Sequence, residues 1–137
     1  MNTKKTILAT LTLFIVSNVL TTIWYMLTDE ANFLPFRRSE TNYVGLLLNH
    51  LIFAIGFVYL FPSYIKGNGN YSTGSALRYG VLLAAIMFLP TGFVVRSIWQ
   101  VDFNLIFLWN TMAHLAIGGL MGILLLLIYN YKRNATN

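Results

Sequence analysis

Four long stretches free of Asp, Glu, Lys and Arg divide this chain: residues 6–28, 41–65, 79–95 and 103–131, of 23, 25, 17 and 29 residues. A helix rises about 1.5 Å per residue, so roughly 20 apolar residues cross a hydrocarbon core of about 30 Å. All four stretches can cross a bilayer. The third does so by recruiting residues 76–78, with Arg78 reaching back to the headgroups along its aliphatic stem. An unpaired backbone amide in lipid costs several kcal/mol, so each crossing must be a helix or part of a closed barrel. The stretches are continuously apolar, without the period-two alternation of a barrel strand. The expected fold is therefore all-α: a transmembrane four-helix bundle forming a single domain over residues 1–137, with spans at about 6–28, 43–65, 77–95 and 104–130.

Composition supports a lipid environment. Charged residues make up 9% of the chain and hydrophobic ones 57%, whereas a soluble domain is roughly 25% charged. So few charges cannot coat a water-soluble globule. The formal net charge of +5 does not imply a nucleic-acid partner, because the basic residues flank the apolar runs, as membrane anchors do. The absence of cysteine excludes disulfides, thiolate metal sites and thiol redox chemistry. The opening Lys4-Lys5 and the apolar run after it resemble a signal peptide. That run is longer than a signal core of about 7–15 residues and ends in Trp24-Tyr25-Met26 instead of small residues, so an uncleaved first helix is expected.

Orientation follows from the basic residues, which favour the cytoplasmic side. With the N-terminus inside, Lys4, Lys5, Lys66, Arg78, Lys132 and Arg133 are inner, while Arg37, Arg38 and Arg96 are outer together with all four acids. Both termini are expected in the cytoplasm. The outer loop after Asp29 carries an apolar segment at 33–36 that suits the membrane surface.

Polar residues inside spans are costly and normally face the bundle interior. At about 1.5 Å per residue, Asn49, His50, Thr91, Asn110 and His114 all fall roughly 4–11 Å to the outer side of the midplane. Asn18 lies near the midplane, with Thr21 and Thr22 a little further out. The inner halves hold almost nothing polar, so they read as a dry plug. In the fourth run Asn110, His114, Gly118 and Gly122 recur every four residues and form one stripe. Gly80 and Ala84 form a matching small-residue stripe in the third run, and such stripes let helix backbones approach closely. Pro90 interrupts the third run beside Thr91 and should free a carbonyl there. Trp24, Tyr25, Trp99 and Trp109 read as an outer aromatic belt, and Tyr64, Tyr129 and Tyr131 as an inner one. Trp109, next to Asn110, is the belt residue best placed for another role. The second and fourth runs each carry a histidine early, in Asn49-His50-Leu51 and Ala113-His114-Leu115. A duplicated two-helix unit would bring His50 and His114 face to face.

Three further features carry a family resemblance: the Trp24-Tyr25 pair closing the first run, the Gly-rich third run leading to Leu89-Pro90, and Ile117-Gly118-Gly119-Leu120-Met121-Gly122 after an aromatic stretch. Over nearly its whole length the chain resembles the small bacterial four-helix membrane proteins designated domain of unknown function 1761. It departs from them at Met26-Leu27, where Ser and Pro commonly follow the Trp-Tyr pair. The resemblance implies a four-helix membrane fold, placed in a bacterial inner membrane, and no activity.

Several functions fit the polar layer. His50, His114, Asn49, Asn110, Thr91 and Trp109 could line an outward-facing pocket that binds or transports a small solute or lipid. The same residues could instead only hydrogen-bond between helices, in an accessory subunit that serves another membrane protein or in a homo-oligomer. No cofactor is predicted. The alternative is a haem ligated by His50 and His114, which is chemically reasonable in a four-helix bundle. A structural zinc needs four ligands, more than two histidines and distant loop acids supply. No carboxylate lies inside a run and no Ser-His-Asp set is present, so catalysis is not expected.

Overall fold

The computed structural model describes residues 3–32, 42–68, 72–99 and 105–130. Side chains at the ends of these segments (29–32, 68, 91–92, 95–99, 105–107 and 130) are outside that description. The side chain of Thr91, Trp99, Tyr131 and the loop segment 33–36 are thus outside the described residues. Four helices account for nearly everything described: α1 (Thr3–Asn32), α2 (Tyr43–Asn68), α3 (Thr73–Trp99) and α4 (Leu105–Asn130). All four are long and apolar enough to cross a membrane. The third helix, of 27 residues, matches α2 and α4 in length, because α3 starts at Thr73 and carries Arg78 within its second turn, although its candidate span Thr73–Pro90 is the shortest of the four. Its start is fixed by Ser72, whose Oγ accepts from the Ser75 amide at 3.2 Å. Asn42 caps α2 in the same manner, its Oδ1 accepting from the Gly45 amide at 3.0 Å. Each cap satisfies an amide that the first helical turn leaves without a partner.

The helices run up, down, up and down. Sequence neighbours are spatial neighbours, α4 closes the ring against α1, and α2 touches α4 across the centre. Lys5 donates to the Tyr129 carbonyl at 3.1 Å, and Trp24 reaches Asn110, so α1 and α4 are antiparallel. One end of the bundle, the terminal end, therefore gathers the start of α1 and the end of α4. The other, the histidine end, gathers the start of α2 and α4 with the last turns of α1.

The closest crossing is α3 on α4, and its cause is the small-residue stripe. A Cβ built on Gly80 would collide with the carbonyl of Gly118, and one on Gly122 with the carbonyl of Ala76. One on Gly118 would meet the Ala84 Cβ and lie 2.6 Å from the Gly80 carbonyl oxygen. The backbones touch there because no side chains separate them.

Phe53, Phe57, Val58, Phe61 and Ile65 of α2 form one buried stripe against Ala9 and Leu13 of α1, Ala76 and Tyr79 of α3, and Met121, Leu125 and Leu126 of α4. Aromatic rings run through this core without a break. Phe53 stacks on Phe57 at 4.3 Å between centroids, Phe57 and Phe61 each meet Tyr79 edge-on, and Phe61 meets Tyr129. The plug of the terminal half is thus largely aromatic. Tyr64 and Tyr129, expected in the aromatic belt, instead turn inward against Tyr79 and Phe61. The Tyr79 hydroxyl donates to the Phe57 carbonyl, next to Pro62 inside α2. Proline removes the amide that Val58 would have used and crowds the preceding turn. Phe57 is adjacent, and a neighbouring helix supplies the donor, as buried backbone in a membrane requires.

Candidate functional site

The polar residues of the histidine end are positioned by α1, α2 and α4. Ser17, Thr21, His50 and His114 are the buried polar side chains among the described residues. On α1, Ser17, Thr21, Trp24 and Thr28 follow helical spacing and share one face. Ser17 Oγ donates to the Phe14 carbonyl at 3.1 Å and lies 3.2 Å from His50 Nδ1. A hydroxyl has one proton, and the Phe14 carbonyl receives it. His50 Nδ1 must then carry the hydrogen and donate to Ser17. On α4, His114 Nδ1 lies 2.7 Å from the carbonyl oxygen of Asn110, one turn earlier. A carbonyl only accepts, so His114 is also protonated at Nδ1. Both rings are thereby held with a lone pair on Nε2, and neither Nε2 has a hydrogen-bond partner among the described residues.

The surroundings of the two rings differ. His114 lies 4.2 Å from the Phe88 ring and presents an edge to Tyr25 at 6.4 Å. Phe88 in turn reaches Phe53 of α2 at 5.7 Å, so it stands between the α2 and α4 elements of the site. Trp24 Nε1 donates to Asn110 Oδ1 at 3.0 Å, tying α1 to α4 one turn above His114. Chemically, the layer offers two imidazole lone pairs, that of His114 beside Tyr25 and Phe88, with the Trp24 indole and the Ser17 hydroxyl already engaged.

Of the six residues expected at the site, the fold brings His50, His114 and Asn110 into one layer. Asn49 and Trp109 do not join them. Asn49 is exposed on the outside of α2, because its neighbour His50 takes the inward position. Trp109 is 60% exposed and fits the lipid belt. Trp24, expected in that belt, turns inward instead. Thr91 is outside the described side chains. Sequence reasoning passed over Ser17 and Phe88 as site residues and assigned Trp24 and Tyr25 to the aromatic belt. The α1 residues were legible as a stripe of Ser, Thr and aromatic side chains at spacings of four and three. Phe88 gave no signal beyond its place between Ala84 and Gly92.

Among the described residues no three of His, Asp and Glu come together as a metal site would require. No family model, no curated protein and no solved structure matches the chain.

Proposed function

We propose that this multi-pass membrane protein binds a small amphipathic molecule at its histidine end, holding a hydrogen-bond donor of that molecule between His50 and His114. One observation carries the reading: Ser17 and the Asn110 carbonyl fix both imidazoles as Nδ1–H tautomers, leaving two Nε2 lone pairs without a partner among the described residues. A bound hydroxyl, amine or amide would supply the donor that each lone pair lacks. Phe88 and Tyr25 supply an apolar lining for the rest of the molecule. The excess of basic residues at the terminal end puts both termini in the cytoplasm, so the site opens toward the outer leaflet. The resemblance to domain of unknown function 1761 fits this fold and adds no ligand.

The test is native mass spectrometry of the chain released from mild detergent, beside the double variant His50→Asn, His114→Asn. Asparagine keeps a donor near the Nδ1 position and deletes the Nε2 lone pair. A reproducible small-molecule or lipid adduct present in the wild type and absent from the variant supports the site. The same adduct on both proteins refutes it. The second reading, an accessory subunit whose layer only joins helices, is favoured by the Trp24–Asn110 and His50–Ser17 bonds, which engage the other polar groups internally. A chain that carries no adduct and co-purifies with a membrane partner would establish that reading.

A further inference from the structure

Among the described residues, the outward side of α2 differs from the other lipid-facing surfaces. On α1 that surface is large and aliphatic apart from Thr22: Ile7, Leu8, Leu11, Ile15, Val19 and Ile23. On α3 it carries Leu82 and Ile86, and on α4 Met112, Leu120 and Leu127. On the side of α2 away from its buried residues stand Asn49, Gly56 and Ser63 at intervals of seven, with Asn49 at the edge of that side, one turn before Phe53. Ile52 and Tyr59 lie between them, 63% and 71% exposed. This is the a/d pattern of a left-handed helix pair, on the side of the helix that touches nothing in the monomer.

Two observations independent of that spacing mark the face as unfinished. The Asn49 amide is exposed at the depth of the buried histidine layer and makes no hydrogen bond to any described residue. Lipid offers it no partner, and an unsatisfied amide in hydrocarbon is strongly unfavourable. Gly56 has no atom within 4 Å of where its Cβ would be, so its backbone is open to close approach. The same device closes α3 on α4, where Gly80 and Gly118 are covered by each other; at Gly56 the matching half is missing.

We infer that a second copy of this chain covers the face, with two α2 helices packed in parallel about a twofold axis along the membrane normal. Chains inserted in one orientation can be related by such an axis. It sets Asn49 against Asn49, Gly56 against Gly56 and Ser63 against Ser63. An amide both donates and accepts, so the Asn49 pair satisfies itself across the axis. One polar residue at an a position is also what fixes register in a helix pair. A different membrane protein as occupant would need no such self-complementary chemistry, and it is the alternative that the experiment separates.

The chain has no cysteine, so single cysteines report cleanly. Ile52→Cys and, as control, Ile15→Cys on the lipid face of α1 are expressed in native membranes and oxidised. Ile52→Cys should form a covalent dimer of the chain and Ile15→Cys should not. In lipid nanodiscs or dilute detergent, Asn49→Leu should weaken self-association about tenfold, the upper range for a membrane hydrogen bond. Gly56→Ile should abolish it. Neither change touches the monomer's core, so at high detergent excess neither should lower helicity or thermal stability below the wild-type level, and Gly56→Ile should raise stability slightly through its better helix propensity. Equal cross-linking at both positions, cross-linking of Ile52→Cys only to a different protein, or self-association unchanged by Gly56→Ile would overturn the inference.

Discussion

The α3–α4 crossing allows a prediction whose sign differs between two glycines of the same protein. Replacing glycine by alanine in a helix gains about 0.8–1 kcal/mol where the new methyl meets nothing. Gly56 is such a position. At Gly118 the methyl would meet the Ala84 Cβ and lie 2.6 Å from the Gly80 carbonyl oxygen, whereas carbon and carbonyl oxygen settle at about 3.3 Å or more. The methyl–methyl contact with Ala84 falls about 1 Å short of the roughly 3.5 Å at which two carbons settle, so the two backbones must separate by roughly 1 Å. Overpacking of this kind costs about 1–3 kcal/mol, which outweighs the propensity gain at all but its lowest value. Gly80→Ala is expected to be worse, since its methyl strikes the Gly118 carbonyl and approaches the Gly119 Cα as well. The separation between Gly56→Ala and Gly118→Ala should be about 2 kcal/mol, or roughly thirtyfold in the unfolding equilibrium. Denaturant titration in mixed micelles, followed by circular dichroism, measures it directly. The detergent excess must hold the protein monomeric, so that the α2 face does not contribute. If Gly118→Ala matches or exceeds Gly56→Ala in stability, the backbone contact is not what holds α3 to α4.

Tyr79→Phe removes the bond to the Phe57 carbonyl beside Pro62 and should cost about 0.6–1.7 kcal/mol in the same titration; an unchanged midpoint would mean that the carbonyl finds another donor. Nitrogen-15 spectra of labelled histidine should show His50 and His114 both protonated at Nδ1 and bare at Nε2, and an Nε2–H signal from either would break the tautomer argument. Asn110→Ala should release Trp24, red-shifting part of the tryptophan emission and loosening α1 from α4 while helix content is retained. Cysteines at Asn68 and Asn134 should resist an impermeant thiol reagent in intact cells and one at Ser39 should react; labelling of Asn68 from outside would reverse the proposed orientation.

The architecture was legible because lipid leaves the chain few options. Uncharged stretches of sufficient length must be helices, and short connections make them antiparallel neighbours. The α3–α4 contact was legible too, since Gly80, Ala84, Gly118 and Gly122 declare a shared face by spacing alone. Rotation about each helix axis was harder to read where polar residues sit side by side. Asn49 and His50 differ by about 100° around the helix, and both belong to a polar layer by depth. Only the phase of the large core residues decides between them: Phe53, Phe57 and Phe61 lie on the face of His50, and that phase puts Asn49 outside. The same reasoning misplaced Trp24. Depth assigns Trp24 and Trp109 alike to the belt, but Trp24 shares the phase of Ser17 and Thr21, and Trp109 is turned away from His114.

The paired histidines show where repeat-like sequence stops predicting a repeat-like site. Each sits near the start of the second helix of its hairpin, on the two helices that meet across the bundle centre. Yet they are held by different means. His50 leans on a side chain of the preceding helix, Ser17, while His114 leans on its own backbone at Asn110. The difference follows from the crossings. In the second hairpin the glycine stripe draws α3 and α4 together so closely that the His114 ring has Phe88 of α3 against it. In the first hairpin α1 offers small Ser17 at the matching level, and its hydroxyl can reach His50. Mobility of the two rings should therefore differ. His50 can rotate once Ser17 is lost, whereas His114 is confined by Phe88 on one side and its own helix on the other. Ser17→Ala should broaden or shift the His50 imidazole resonances and leave those of His114 in place. Equal perturbation of both rings would mean that the layer moves as one unit and that the two hairpins do not hold their histidines independently.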